Sequence, residues 1–142
     1  MESRQIRDFE VISFVPILNF SINLVFYKTS LAFEASLVMP ALLAQAKETH
    51  VECLKKFARH AGIVFQIKDD LLDAEGDPIL LGKQTGKDEE GKNSTFVTLL
   101  GLEGARKEMW EHYCEAMTAL EESPCSTSFL KKILHYLLHR EK

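Results

Sequence analysis

Apolar residues recur at helical spacing along most of this chain, and no stretch alternates with the two-residue period of a strand bounded by hairpin turns. Leu54, Phe57, Ala58, Ala61 and Phe65 mark one face of a long helix, which a capping box at Thr49-His50-Val51-Glu52 would open. Ala105, Met109, Tyr113, Ala116, Met117 and Leu120 mark the stripe of another over Glu103 to Glu122, and Ser123-Pro124 breaks it. Phe129, Leu130, Ile133, Leu134, Leu137 and Leu138 define a last helix. Residues 28–46 are different, being apolar nearly all round, which predicts burial on most sides. Their small residues Ser30, Ala32, Ala35, Ser36 and Ala41 would admit a close neighbour or a ligand, and Pro40 is expected to kink or divide the helix. Glu75 to Asn93 carries Gly76, Pro78, Gly82, Gly86 and Gly91 among charges and reads as a loop of about 18 residues, long enough to be a lid or a binding loop. Asn93 or Ser94 would then cap a short helix that Gly101 ends. The predicted fold class is all-α.

The long helix ends in Phe65-Gln66-Ile67-Lys68-Asp69-Asp70-Leu71-Leu72-Asp73. At 100° per residue, Gln66, Asp69, Asp70 and Asp73 fall within an arc of about 100°, while Val64, Ile67 and Leu71 point the other way. Three carboxylates on one stripe repel each other, and at a helix C-terminus they also oppose the helix dipole. Something positive must offset both costs. Hard oxygen donors in such an array suit Mg²⁺, which bridges one or two carboxylates to substrate phosphates and keeps several waters. A bare DDxxD is otherwise a solvated acidic helix end. Here lysines surround it in sequence: Lys28-Thr29 ahead, Gly82-Lys83 and Gly86-Lys87 behind, then Lys92-Asn93-Ser94-Thr95. Lys28 opens an all-apolar helix and so calls for an anionic partner. Metal on one side and ammonium donors on the other are what a diphosphate needs.

Lys28-Thr29, Phe65-Gln66 with Asp69-Asp70-Leu71-Leu72-Asp73, Leu81-Gly82-Lys83, Gly86-Lys87-Asp88, Gly91-Lys92 with Ser94-Thr95, and Leu99-Leu100-Gly101-Leu102 are each weak marks. In their joint order and spacing they resemble the trans-prenyl diphosphate synthases of short-chain type, the farnesyl and geranylgeranyl diphosphate synthases, over residues 28–142. The resemblance implies the C-terminal part of an isoprenoid-synthase helical bundle, with residues 1–27 standing outside the family pattern. It implies Mg²⁺ as cofactor, and condensation of an allylic diphosphate with isopentenyl diphosphate with release of diphosphate. Asp69 resembles the direct metal ligand of the family's second aspartate-rich motif, with Asp70 and Asp73 on that metal's waters. Lys28 and Lys83 resemble lysines that grip the departing diphosphate. Thr29 and Gln66 match polar groups beside the carbocation. Lys92 and Arg140-Glu141-Lys142 are weaker phosphate candidates. A complete family member also has an upstream acidic cluster and an arginine pair for isopentenyl diphosphate. Before Asp69 the only aspartate here is Asp8, and Arg4 and Arg7 match no such pattern.

Composition sets the remaining bounds. The 142 residues suffice for one domain, and 46% apolar with 27% charged residues is the balance of a globular protein. A net charge of −4 argues against a nucleic-acid binder. Cys53, Cys114 and Cys125 form no CxxC pair and read as reduced thiols of a cytoplasmic protein, Cys53 and Cys114 as packing residues. The apolar run Val11 to Tyr27 falls short of the roughly 20 residues of a membrane span and carries Pro16, Asn19 and Asn23. His135 and His139 lie four apart on a surface helix with no third ligand nearby in sequence and read as exposed. A homo-oligomer, or association with a complete synthase, is the expected assembly. Three readings compete: a prenyltransferase in an incomplete form, a non-catalytic helical partner of a complete synthase, and a plain helical interaction domain with a chance DDxxD.

Overall fold

The computed structural model describes residues 18–76 and 95–141. Four helices follow one another: α1 (Leu18–Leu43), α2 (Glu48–Glu75), α3 (Phe96–Glu121) and α4 (Ser128–His139). No strand occurs among the described residues, and the chain is all-α, as its apolar spacing predicts. α2 is the central element, with α1, α3 and α4 all packed on it.

The helix ends show which local signals were used. α1 runs on through Pro40 without being divided. The carbonyl that Pro40 leaves unbonded belongs to Ser36, an exposed position where water can take it. The helix then stops because Gln45 turns left-handed (φ 54°), with Gln45 N–H donating to Leu42 O (3.0 Å) and Ala46 N–H to Ala41 O (2.9 Å). α2 begins at Glu48 from Lys47, which makes no side-chain cap. The capping box expected at Thr49 does not form, because the helix starts one residue ahead of it. The cap of α3 is Thr95 rather than Asn93 or Ser94: Thr98 N–H donates to Thr95 Oγ1 (3.1 Å) and Thr95 N–H to Thr98 Oγ1 (2.8 Å). Gly101 does end the first short helix, at φ 73° and ψ 172°, and α3 resumes beyond this kink.

The core is built on α2. Phe57 and Ala61 meet Ala116, Ala119 and Leu120 of α3 and Leu134 of α4. One turn on, Ile63, Ile67 and Leu71 meet Ala105 of α3, and Val64 meets Leu137 and Leu138 of α4. Phe129, expected in the α4 stripe, is 71% exposed instead. It stands in the first turn of α4, before that helix closes on α2. Cys114 is exposed and Cys53 half-buried, so the packing expected of Cys114 is not made. His135 and His139 are exposed, as expected. α1 meets α2 closely at Gly62, where an added Cβ would come within 2.9 Å of the Ser30 Cα. Ser30 is buried there, but Leu31, Met39, Leu42 and Leu43 are exposed. The burial on most sides expected of residues 28–46 is therefore not found, since α1 rests on α2 along one face only. No helix among the described residues is long and apolar enough to cross a membrane.

Candidate functional site

The acidic end of α2 lies where all four helices approach. Its carboxylates have three different surroundings. Asp70 is half-buried, with Oδ1 accepting from Gln66 Nε2 (3.0 Å) and Oδ2 from the Phe96 N–H (3.0 Å). The second contact supplies an acceptor to one of the orphan donors in the first turn of α3, so Asp70 acts as a cap delivered from another helix. Burial raises the Asp70 carboxyl above the ordinary aspartate range, and the charges of Asp69 and Asp73 add to it. The Phe96 N–H and Gln66 amide pull it back. Gln66 also reaches α1, with Thr29 Oγ1 donating to its Oε1 (3.4 Å). Thr29, Gln66, Asp70 and Phe96 thus form a polar relay across α1, α2 and α3.

Asp69 faces the other way, toward the C-terminal end of the chain. Arg140 donates to it through Nη2, and the same nitrogen donates to Phe65 O (3.1 Å). The guanidinium carbon lies 4.4 Å from the centre of the Phe65 ring, a cation–π contact that helps hold it. Arg140 Nε is buried without an acceptor. Among the described residues, Arg140 is a positive partner of the acidic stripe, 71 residues from Asp69 in sequence. The sequence signal for it is a lone guanidinium among the last residues, which the family resemblance marks as a phosphate candidate rather than as a partner of Asp69. Asp73 is exposed. Lys28 is exposed too and makes no ion pair with a described residue, so the anionic partner expected of it is not found among them. Lys83, Lys87 and Lys92 lie outside the described residues, as does the loop that carries them.

The polyprenyl synthetase pattern matches residues 17–136. The chain belongs to the polyprenyl synthetase family. It is 35% identical over 120 residues to the farnesyl diphosphate synthase of Escherichia coli (82% of this chain, 40% of the relative). It is 42% identical over 89 residues to that of Bacillus subtilis (63% of this chain, 30% of the relative). Among solved structures, an FPP/GFPP synthase from Zymomonas mobilis superposes with a TM-score of 0.69 at 30% identity, over 94% of this chain and 43% of that one. The chain thus spans less than half the length of these relatives. The helices of this polyprenyl synthetase chain are those of an isoprenoid-synthase bundle, as the motif order implied.

The carboxylates fit Mg²⁺ in one respect and not another. Hard oxygen donors are what Mg²⁺ takes, and one or two suffice when phosphates and water complete its shell. Among the described residues, however, no three acidic, His or Cys side chains converge into a protein cage. Both Asp70 oxygens are already engaged. Asp69 has one oxygen on Arg140, and Asp73 is exposed.

Proposed function

We propose that this chain supplies the diphosphate-holding wall of a prenyltransferase site, acting on an allylic diphosphate and isopentenyl diphosphate in isoprenoid biosynthesis. The observation that supports it best is the end of α2, where Asp70 joins the Thr29–Gln66 pair to the start of α3 and Arg140 lies against Asp69. Asp69 and Asp73 would hold Mg²⁺, and Asp70 fixes the stripe by tying α2 to the start of α3. Bound Mg²⁺ would neutralise the charge that develops on the departing diphosphate. Lys28, Lys83 and Lys92 are assigned to that diphosphate as donors. The Thr29 hydroxyl and the Gln66 carbonyl oxygen present partial negative charge where the allylic cation forms. The three free cysteines accord with a reducing, cytoplasmic setting.

The residues of this chain include one aspartate-rich motif, so a second acidic wall would have to come from elsewhere for elongation. Losing even one preorganised donor typically costs on the order of 10²–10³ in rate. The 142-residue chain by itself is expected to hydrolyse allylic diphosphates slowly and not to elongate them. A second reading, a non-catalytic helical partner of a complete synthase or of a second copy, is favoured by the exposed apolar residues of α1.

Calorimetry of pyrophosphate binding with and without Mg²⁺ tests the site. Pyrophosphate is expected to bind tighter with Mg²⁺, and Asp69→Ala to remove that gain. Equal affinity in all three conditions would exclude the assignment. Efficient elongation from labelled isopentenyl diphosphate, abolished by Asp69→Ala, would show that a second acidic wall is dispensable.

A further inference from the structure

His60 of α2 and His112 of α3 are 52 residues apart in sequence, yet their Nδ1 atoms lie 2.8 Å from one another. The rings are tilted by 36° with centres 5.1 Å apart, and both side chains are half-buried between the helices. Two ring nitrogens at this distance form a hydrogen bond, so one carries the proton and the other offers its lone pair. Burial lowers the proton affinity of both rings: His60 falls below the ordinary histidine value, and His112 falls to about 4. At neutral pH the pair is uncharged, the state in which imidazole ligates metals. On the far side of His112, Nε2 faces Glu108 Oε2 at 3.9 Å, one turn back along α3.

We propose that His60 and His112 form a two-imidazole site for a borderline-soft cation of the Zn²⁺ type, clamping α2 to α3 at a distance from the aspartate stripe. Imidazole nitrogen suits Zn²⁺, whereas the carboxylates of the stripe suit Mg²⁺, so the two sites would select different ions. With Zn–N distances of about 2.0–2.1 Å and tetrahedral angles, the two nitrogens should stand about 3.3 Å apart. The rings need to part by about half an ångström to reach that separation, and each needs to turn by roughly 35° so that both Nδ1 lone pairs converge on the ion. Water completes the shell at the open side of the pair. The proton shared between the two Nδ1 atoms moves to Nε2 of the ring that carried it, so both Nδ1 lone pairs face the metal and no net proton is released. Glu108 then faces the Nε2–H of His112, the carboxylate–histidine–metal arrangement that orients ligating rings.

A competing pair exists and must be removed from the test. His135 and His139 stack on α4 with ring centres 4.1 Å apart, but they are exposed and share one helix, so a metal there ties nothing together. The full chain carrying H135Q and H139Q is therefore titrated with ZnCl₂ and followed by thermal unfolding and by imidazole ¹⁵N shifts. One equivalent should bind, raise the unfolding midpoint and shift the Nδ1 resonances of His60 and His112, while MgCl₂ leaves those resonances unmoved. Adding either His60→Gln or His112→Gln should weaken Zn²⁺ by about tenfold or more and abolish the rise in midpoint. Each variant is first shown to keep its helical circular dichroism, and two independent variants guard against one that fails to fold. Zn²⁺ affinity unchanged in both variants would overturn the proposal. So would Zn²⁺ shifts confined to His50, whose ring lies 3.5 Å from the sulfur of Cys125.

Discussion

α1 and α2 are helices of nearly equal length, 26 and 28 residues, but α1 is apolar nearly all round from Lys28 on and α2 on one face only. Their fates differ. α2 has three neighbours, and its buried residues extend from Val51 to Ala74. α1 packs mainly on α2, with Phe33 and Leu37 reaching the core clusters, and among its described side chains only Ser30 is buried. By its described side chains, the more apolar helix is thus the less buried one. Hydrophobicity alone says that a surface should be covered, but burial is decided by how many partners reach it.

The sharpest way to break this comparison is to cut into α2 at its driest point. Phe57→Ala removes a side chain that is 2% exposed and should cost about 3–5 kcal/mol in urea unfolding. A loss as small as that of an exposed α1 residue would mean that the α2–α3–α4 core is not what holds the fold.

Acid should separate the two regions next. His60 and His112 lie in the α2–α3 seam, and both hold their protons more weakly than in the unfolded chain. In the metal-free protein the unfolded chain takes up protons below about pH 6.5, while folded His112 resists until about pH 4. Stability from this pair is therefore fully present above the unfolded value and is lost progressively as pH falls from about 6.5 to 4. Asp70 and Glu108, both raised by burial, act in the opposite sense by favouring the folded state when protonated. His112→Gln should flatten the decline between pH 6.5 and 4. An unchanged slope would assign the acid sensitivity to other groups.

A smaller effect is expected where α1 meets α2. At Gly62 an added Cβ would stand 2.9 Å from a backbone atom of Ser30, which cannot rotate aside as a side-chain tip could. The overlap should outweigh the roughly 1 kcal/mol of helix propensity gained, so Gly62→Ala is expected to destabilise by about 1–3 kcal/mol. Hydrogen exchange should show the loss concentrated in α1. Loss spread evenly over α2 and α3 would mean that α1 belongs to the same cooperative unit. The smallest effect belongs to the open face of α1: Leu43, 84% exposed, should change stability by less than about 0.5 kcal/mol when replaced by serine. Light scattering should show weaker self-association, and unaltered association would move the sticky surface elsewhere.

Short-range physics was legible in the residues themselves. Helical spacing set the all-α class, the acidic stripe followed from the 100° advance between Gln66, Asp69, Asp70 and Asp73, and the break at Gly101 followed from its freedom to take a positive φ. Cap positions were less legible, because Thr49, Asn93, Ser94 and Thr95 are all competent caps. The choice among them is settled by which start lets the helix reach its neighbours. For α3 that choice includes the Phe96 N–H meeting Asp70.

Contacts between distant residues were not legible at all. Nothing in the local sequence ties Arg140 to Asp69 or His60 to His112, since both pairs form only when α3 and α4 fold back on α2. The sequence by itself determined which faces of which helices carry carboxylates, cations and imidazoles. Tertiary structure decided that Asp69 meets a guanidinium, that Asp70 becomes a cap for α3, and that α1 keeps an open apolar side. The physical reason is that charge and hydrogen-bond partners act over a few ångströms, and which groups come that close depends on how whole helices pack.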